Sequence, residues 1–269
     1  MSIELLLGLA LLGVLTGFLA GLLGIGGGMV LVPALSALLQ WQGVATPLAV
    51  KMAIATAMAC ITGTSLSSVR AHHRRGAVRW PVVASLAPGV LLGGLLSGAA
   101  LFGLLRGQWL AALFSGFVLL SAWQMWSGSQ APAERSLPPR AGLLGVGLVI
   151  GLLSGLVGAG GGFLTVPFLS WCAVPIHQAV ASSAALGFPI ALASTLGYVW
   201  GGWSLQPALS GAFGYLYLPA LAVLVPCTML TAPLGARAAH ALPVRKLKRG
   251  FALLLLVLAA DMARRSLSG

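Results

Sequence analysis

Apolar runs long enough to cross a bilayer follow one another along almost the whole of this chain. About 20 apolar residues span the hydrocarbon core of a membrane. Such runs fall at 3–23, 48–69, 81–105, 109–127, 141–158, 176–199, 212–236 and 250–263, with shorter ones at 28–40 and 163–174. Hydrophobic residues make up 59% of the chain and charged residues only 7%, against about 25% charged in a soluble domain. That leaves too little polar surface to cover a water-soluble particle. A soluble enzyme, a nucleic-acid-binding module and a secreted disulfide scaffold are excluded. Long unbroken runs, rather than short alternating ones, also disfavour an outer-membrane barrel. The reading that remains is an all-α polytopic membrane protein.

Fifteen Lys and Arg face three acids, for a net charge of +12. The basic residues cluster in short connections, as the positive-inside rule expects, and form no basic face with interleaved aromatics for nucleic acid. Glu4, Glu134 and Asp261 each lie at or near a segment end. Cation transporters and proton pumps need carboxylates inside the membrane, so the chain is expected to handle an anion or a neutral solute. Cys60, Cys172 and Cys227 are widely spaced and lack metal-site spacing. They read as small buried hydrophobes, with a role towards a sulfur-containing substrate as the alternative. No metal and no cofactor are expected. The start, MSIELLLG, lacks the basic stretch of a signal peptide, so the first segment is expected to be retained.

The stretch 128–140, GSQAPAERSLPPR, combines Pro, Ser, Gly and both signs of charge and reads as a linker. It divides the chain into 1–127 and 141–269. The two parts repeat each other. GFLAGLLGIGGGMVLVPAL (17–35) and GLLSGLVGAGGGFLTVPFL (151–169) agree at eleven of nineteen positions with a fixed offset of 134. Aligned glycines and a shared proline, not only Leu and Ala, carry the match. A weaker echo at offset 126 sets AIATA (53–57) against AVASS (179–183) and Ser68 against Ser194.

Loop charge gives orientation. The connection 70–80 is rich in Arg and its counterpart 200–211 has no charge, whereas 106–108 holds one Arg and its counterpart 237–249 holds five basic residues. Equivalent loops are thus expected on opposite sides, with the basic ones and the linker in the cytoplasm and both termini outside. This is the pattern of two inverted-topology repeats. Each is expected to have four long transmembrane helices and a short broken or re-entrant helix after its GxGGG break.

Glycine costs about 1 kcal/mol against Ala inside a helix, so GIGGG and GAGGG in mid-membrane need a reason. Gly17/Gly21 and Gly151/Gly155, four apart, suit close helix packing. The triplets Gly26, Gly27, Gly28 and Gly160, Gly161, Gly162 read as breaks, each followed by a short apolar segment containing Pro33 or Pro167. A half-helix starting there aims its free N–H groups and the positive end of its dipole at the membrane middle. That makes an anion site without a charged side chain; a purely structural kink is the alternative.

Polar residues inside the spans supply the other candidates. Thr56 and the pair Ser182/Ser183 hold matching repeat positions, and hydroxyls donate hydrogen bonds to oxyanions, although helix–helix bonding also explains them. Gln178 shares a helix face with Ser182. Lys51 is the lone cation within a span; it either snorkels or attracts an anion to the outer mouth. His177 holds a similar depth. Trp41, Trp80, Trp109, Trp171 and Trp203 fall near segment ends and read as interfacial anchors.

GLLGIGGGMVLVPAL and GLVGAGGGFLTVPFL, each followed by an ATA or ASSA helix, resemble the TauE/SafE sulfite-exporter family of anion permeases. The likeness covers essentially the whole chain. It implies a bacterial or archaeal inner-membrane permease for sulfite, sulfonates or related anions. The family's motif region falls on Gly26–Gly28, Pro33, Gly160–Gly162 and Pro167. The expected partners are a small anion and the lipid bilayer, with a homo-oligomer as a further option. Export is the simplest mode, because an inside-negative potential drives anions out. A channel for a small neutral solute and a non-transporting subunit that docks a partner on its basic face are the alternatives. An enzyme is not expected, since no nucleophile–base pair stands out.

Overall fold

A computed structural model describes residues 3–23, 27–127, 136–205, 207, 209–238 and 244–267. Gly26 and most of the linker, 128–135, lie outside the described residues. Ten helices occur among those described. They are α1 (Ile3–Leu23), α2 (Gly28–Trp41), α3 (Thr46–His73), α4 (Trp80–Leu104), α5 (Gly107–Ser127), α6 (Arg140–Val157), α7 (Gly162–Trp171), α8 (Ile176–Gly202), α9 (Leu218–Ala238) and α10 (Val244–Leu267). A π-helical turn at Ser97–Leu101 interrupts α4. Seven helices, α1, α3, α4, α5, α6, α8 and α9, are long and apolar enough to cross a membrane. The chain is therefore an all-α, multi-pass membrane protein. The helices α2 and α7 are too short for a comfortable crossing.

One segment departs from the sequence reading. The apolar run 212–236 does not begin as a helix. Ala212–Phe213 and Leu216–Tyr217 form a two-stranded hairpin with Ala212 opposite Tyr217 and Phe213 opposite Leu216, and α9 starts only at Leu218. Gly211 at φ +85 and Gly214 at φ +55 explain it, because left-handed backbone breaks a helix.

Small residues decide which helices sit inside. The helices α3 and α8 are rich in Ala, Ser, Thr and Gly, which lets backbones approach closely without a lipid-facing bulk. Both are 67% buried over their most apolar stretch, against 28% for α9 and 39% for α1 and α5. The outer helices instead turn large side chains outwards, among them Leu7, Leu11, Trp123, Leu230 and Val257.

The packing pairs the first helix on one side of the linker with the fourth helix on the other. On α1, Gly13 lies against Leu224 and Cys227, Gly17 against Thr228 and Thr231, and Gly21 against Ala232 and Ala236 of α9. Both chains rise in number together, so these helices run parallel. On α4, Gly89 lies against Leu144 and Leu148 and Gly93 against Leu148 and Leu152 of α6, again in parallel. The central pair behaves differently. Ser65 of α3 meets Gly187 of α8, while the Lys51 end of α3 lies beside Phe102, whose ring packs on Tyr198 near the far end of α8. The two central helices, counterparts in the sequence repeat, thus run in opposite directions.

These crossings are as close as glycine permits: a Cβ on Gly93 would overlap the Leu148 carbonyl oxygen, whereas Gly116 on α5 has open space. Gly93→Leu is expected to cost about 1–3 kcal/mol through overpacking, seen as a lower apparent Tm in detergent, with Gly116→Leu unchanged.

Candidate functional site

The middle glycine of each triplet has the same unusual backbone. Gly27 caps α2 at φ +76, ψ −9, and Gly161 caps α7 at φ +76, ψ −15. Both are left-handed, a conformation that costs L-residues about 1–2 kcal/mol. Neither helix has a side-chain cap at its start. The first N–H groups of a helix have no partner within it, so both short helices start on the positive end of a dipole without a side-chain cap, and at the second break the Gly161 N–H donates to the Ala159 carbonyl at 2.7 Å. Pro33 and Pro167 each stand sixth in their helix. Each withholds a backbone N–H while the helix continues through it.

The two breaks pack on each other at mid-depth. A Cβ on Gly28 would overlap the Gly158 carbonyl oxygen and come 3.0 Å from Ile61 Cδ1. Gly158 ends α6 at φ +74, where its N–H donates to the Ser154 carbonyl at 2.9 Å. The Gly160 carbonyl lies 3.2 Å from where a Gly187 Cβ would stand, and a Gly161 Cβ would overlap Ile190 Cδ1. The breaks therefore sit level with residues 61–65 of α3 and 187–190 of α8, near the middles of both central helices.

A narrow cavity of about 10 Å³ opens beside the second break, lined by Ala20, Ile61, Thr64, Ser65, Ser68, Gly160, Ala184 and Gly187. That is room for about one water molecule. Thr64 Oγ1 donates to Thr228 Oγ1 at 2.8 Å, and Ser65 Oγ donates to the Ile61 carbonyl. Ser68 Oγ is buried with no hydrogen-bond partner among the described residues. A buried hydroxyl without a partner is costly, so Ser68 is a free donor at the cavity wall. Its spacing from Thr64, and its alignment with Ser194 in the repeat, is the signal in the sequence for this residue; the choice of Thr56 and Ser182/Ser183 passed over it.

Thr56 and Ser182 are brought into equivalent roles of another kind. Thr56 Oγ1 accepts from the Tyr217 N–H at 3.0 Å, just before α9. Ser182 Oγ accepts from the Arg79 N–H at 3.0 Å, just before α4. Each central helix thus satisfies a backbone donor at the entrance of a fourth helix across the linker. Ser183 Oγ is buried without a partner among the described residues. Gly27, Gly28, Gly160, Gly161, Gly162, Thr56, Ser182 and Ser183 are all buried in the bundle centre.

Three candidates lie elsewhere. Lys51 Nζ donates to the Gly103 carbonyl at 3.2 Å and stands 5.9 Å from the Phe102 ring and 5.6 Å from the Tyr215 ring. A cation there closes the negative end of α4 and packs on two aromatic faces. His177 is exposed and Gln178 half-buried, both at the start of α8. The three cysteines form no disulfide with one another, Cys60 and Cys172 being buried and Cys227 half-buried. Trp41, Trp80, Trp109, Trp171 and Trp203 all present exposed rings, as interfacial anchors do.

Comparison with known proteins gives a family and several relatives. The family described as sulfite exporter TauE/SafE matches residues 9–262. A Haemophilus influenzae protein described as a probable membrane transporter protein is 38% identical over 256 residues, covering 94% of this chain and 96% of its own. A Xylella fastidiosa protein of the same description is 32% identical over 69% of this chain and 71% of its own, and one from Methanocaldococcus jannaschii is 28% identical over 65% of each. No solved structure matches the chain.

The hydrogen bonds separate two adjacent serines. Ser182→Ala strands the Arg79 N–H and is expected to cost about 1–3 kcal/mol, read as a lower apparent Tm, while Ser183→Ala is expected to leave Tm within error.

Proposed function

The chain belongs to the TauE/SafE sulfite-exporter family and is a membrane transporter, and from that premise we propose that it exports a small sulfur-containing oxyanion across an inner membrane. The observation that supports this best is the pair of capless, left-handed glycine starts of α2 and α7, packed into one buried centre. Backbone N–H groups and two helix dipoles attract an anion there without a charged side chain. Broken backbone at membrane depth is tolerated where it lines a cavity or is buried in protein. Gly27, Gly28, Gly160 and Gly162 would supply the backbone, with Gly161 setting the turn, and the Ser68 and Ser183 hydroxyls the side-chain donors; the Thr64 hydroxyl is already given to Thr228. Thr56 and Ser182 would act indirectly, by fixing the entrances of α9 and α4.

The cavity holds no more than a water molecule in this conformation, so substrate enters when the two parts of the chain move apart. The parallel α1–α9 and α4–α6 pairs and the antiparallel α3–α8 pair support a reading as two inverted halves, 1–127 and 141–269. Rocking of one against the other would give alternating access. The membrane potential supplies direction: an inside-negative potential pushes an anion out by about 2.3 kcal/mol per charge per 100 mV. No intramembrane carboxylate is needed for coupling. Inorganic sulfite is the simplest cargo with this charge and size, and a sulfonate is the next.

Flux in proteoliposomes under a potassium–valinomycin potential tests this. Sulfite efflux is expected to scale with the imposed potential, to vanish in Gly27→Leu and Gly161→Leu, and to fall on the order of tenfold in Ser68→Ala, the equivalent of one lost hydrogen bond. Undiminished flux in both glycine variants would contradict the site. Potential-independent passage of a neutral solute would replace the permease with a channel.

A further inference from the structure

A second site of opposite character lies away from the glycine breaks. Between the C-terminal ends of α3 and α9 a cavity of about 330 Å³ is lined by Ser67, Arg70, Ala71, Arg74, Arg75, Pro233 and Arg237. Four guanidinium groups face one crevice and no acid lines it. Of the acids described, Glu4 lines a groove between α1 and α2, and Asp261 is held by Arg264 and Arg265 on α10. One arginine has an internal use: Arg75 Nη1 donates to the Ala236 carbonyl at 2.9 Å, closing the end of α9. Arg70 and Arg74 stand one turn apart on α3, a like-charge spacing that destabilises a helix. The C-terminal dipole of α3 offsets part of it, no acid among the described residues lines the crevice, and an anion there would offset the rest.

We propose that this crevice binds the phosphate headgroup of an anionic phospholipid. Three further observations favour a lipid over a free anion. The wall formed by Pro233 and Arg237 continues down the same face of α9 to Leu230 and Leu234, exposed by 75% and 51%. An acyl chain lying on those leucines places its headgroup among the arginines. Trp80 marks the depth: its exposed indole donates to His73 Nδ1 at 3.1 Å, and such rings sit at the headgroup level. The crevice also lies on the basic end of the molecule, the end that faces the anionic cytoplasmic leaflet. Basic pockets between transmembrane helices on that side are suited to acidic headgroups. The site is independent of the transport reading. With the lipid bound, α3 and α9 are tied together at one end.

The test uses the full-length protein purified in mild detergent from bacterial membranes, with extracted phospholipid quantified by mass spectrometry. The wild type is expected to retain phosphatidylglycerol or cardiolipin in preference to phosphatidylethanolamine. The triple variant R70Q/R74Q/R237Q, which keeps the Arg75 bond, is expected to lose this retention on the order of 100-fold, from the strength of three arginine–headgroup attractions. R106Q, in the short connection before α5, is the control and is expected to retain it. R237Q alone, with a size-exclusion profile matching wild type, is expected to show a partial loss and guards against misfolding of the triple variant. Equal retention by the triple variant would overturn the proposal. So would a wild type that carries no anionic lipid but binds inorganic phosphate through the same arginines.

Discussion

A backbone N–H or C=O that leaves its helix inside a membrane must find a partner in the protein, because lipid offers none. Two such interruptions, one after α1 and one after α6, are what the rest of this structure is arranged around. They are stacked on each other, with Gly28 against the Gly158 carbonyl. Only glycine fits that approach, and only glycine takes the left-handed turns at Gly27, Gly158 and Gly161 without strain. Surrounding them with α3 and α8 follows from the same constraint. These helices carry small side chains, so they approach closely enough to seal the breaks from lipid.

The packing also couples distant parts of the chain. Hydroxyls of the central helices hold the entrances of the opposite fourth helices, Thr56 at Tyr217 and Ser182 at Arg79. Tyr198 donates to the Gly155 carbonyl, joining α8 to α6, and Lys51 closes the end of α4. On the proposed transport reading these contacts, buried at Thr56 and Tyr198 and exposed at Lys51, would carry movement at the glycine centre to α4 and α9. These bonds are polar contacts that can be remade in a second arrangement, as a switching element requires.

Much of the architecture was legible in the sequence, because each feature had a strong local signal. Seven of the eight expected long spans followed from length and hydrophobicity; α10, which carries Asp261, Arg264 and Arg265, is not among the seven. The two short helices followed from GxGGG and from Pro33 and Pro167. The hairpin at 212–217 was missed because AFGYLY is as apolar as the helix it precedes, and hydrophobicity alone does not separate a strand from a helix start. The breaks were legible at the glycines, whose left-handed backbone at Gly27 and Gly161 is encoded by residue type. It was less legible among the hydroxyls. Thr56, Ser182 and Ser68 look alike along the chain, and what separates them is whether a backbone N–H from a remote segment happens to face them. That depends on tertiary approach, which no local pattern carries. Lys51 illustrates the same limit: its partner Gly103 is 52 residues away.

The most direct test of an anion held by backbone donors is to watch those donors. With the protein ¹⁵N-labelled at glycine and reconstituted in lipid, the amide resonances of Gly27, Gly28 and Gly162 can be followed as sulfite is added. The account predicts saturable shifts concentrated on these three amides, with glycines at the helix crossings, such as Gly93, unmoved. Saturable sulfite binding that leaves all three amides unshifted would contradict it.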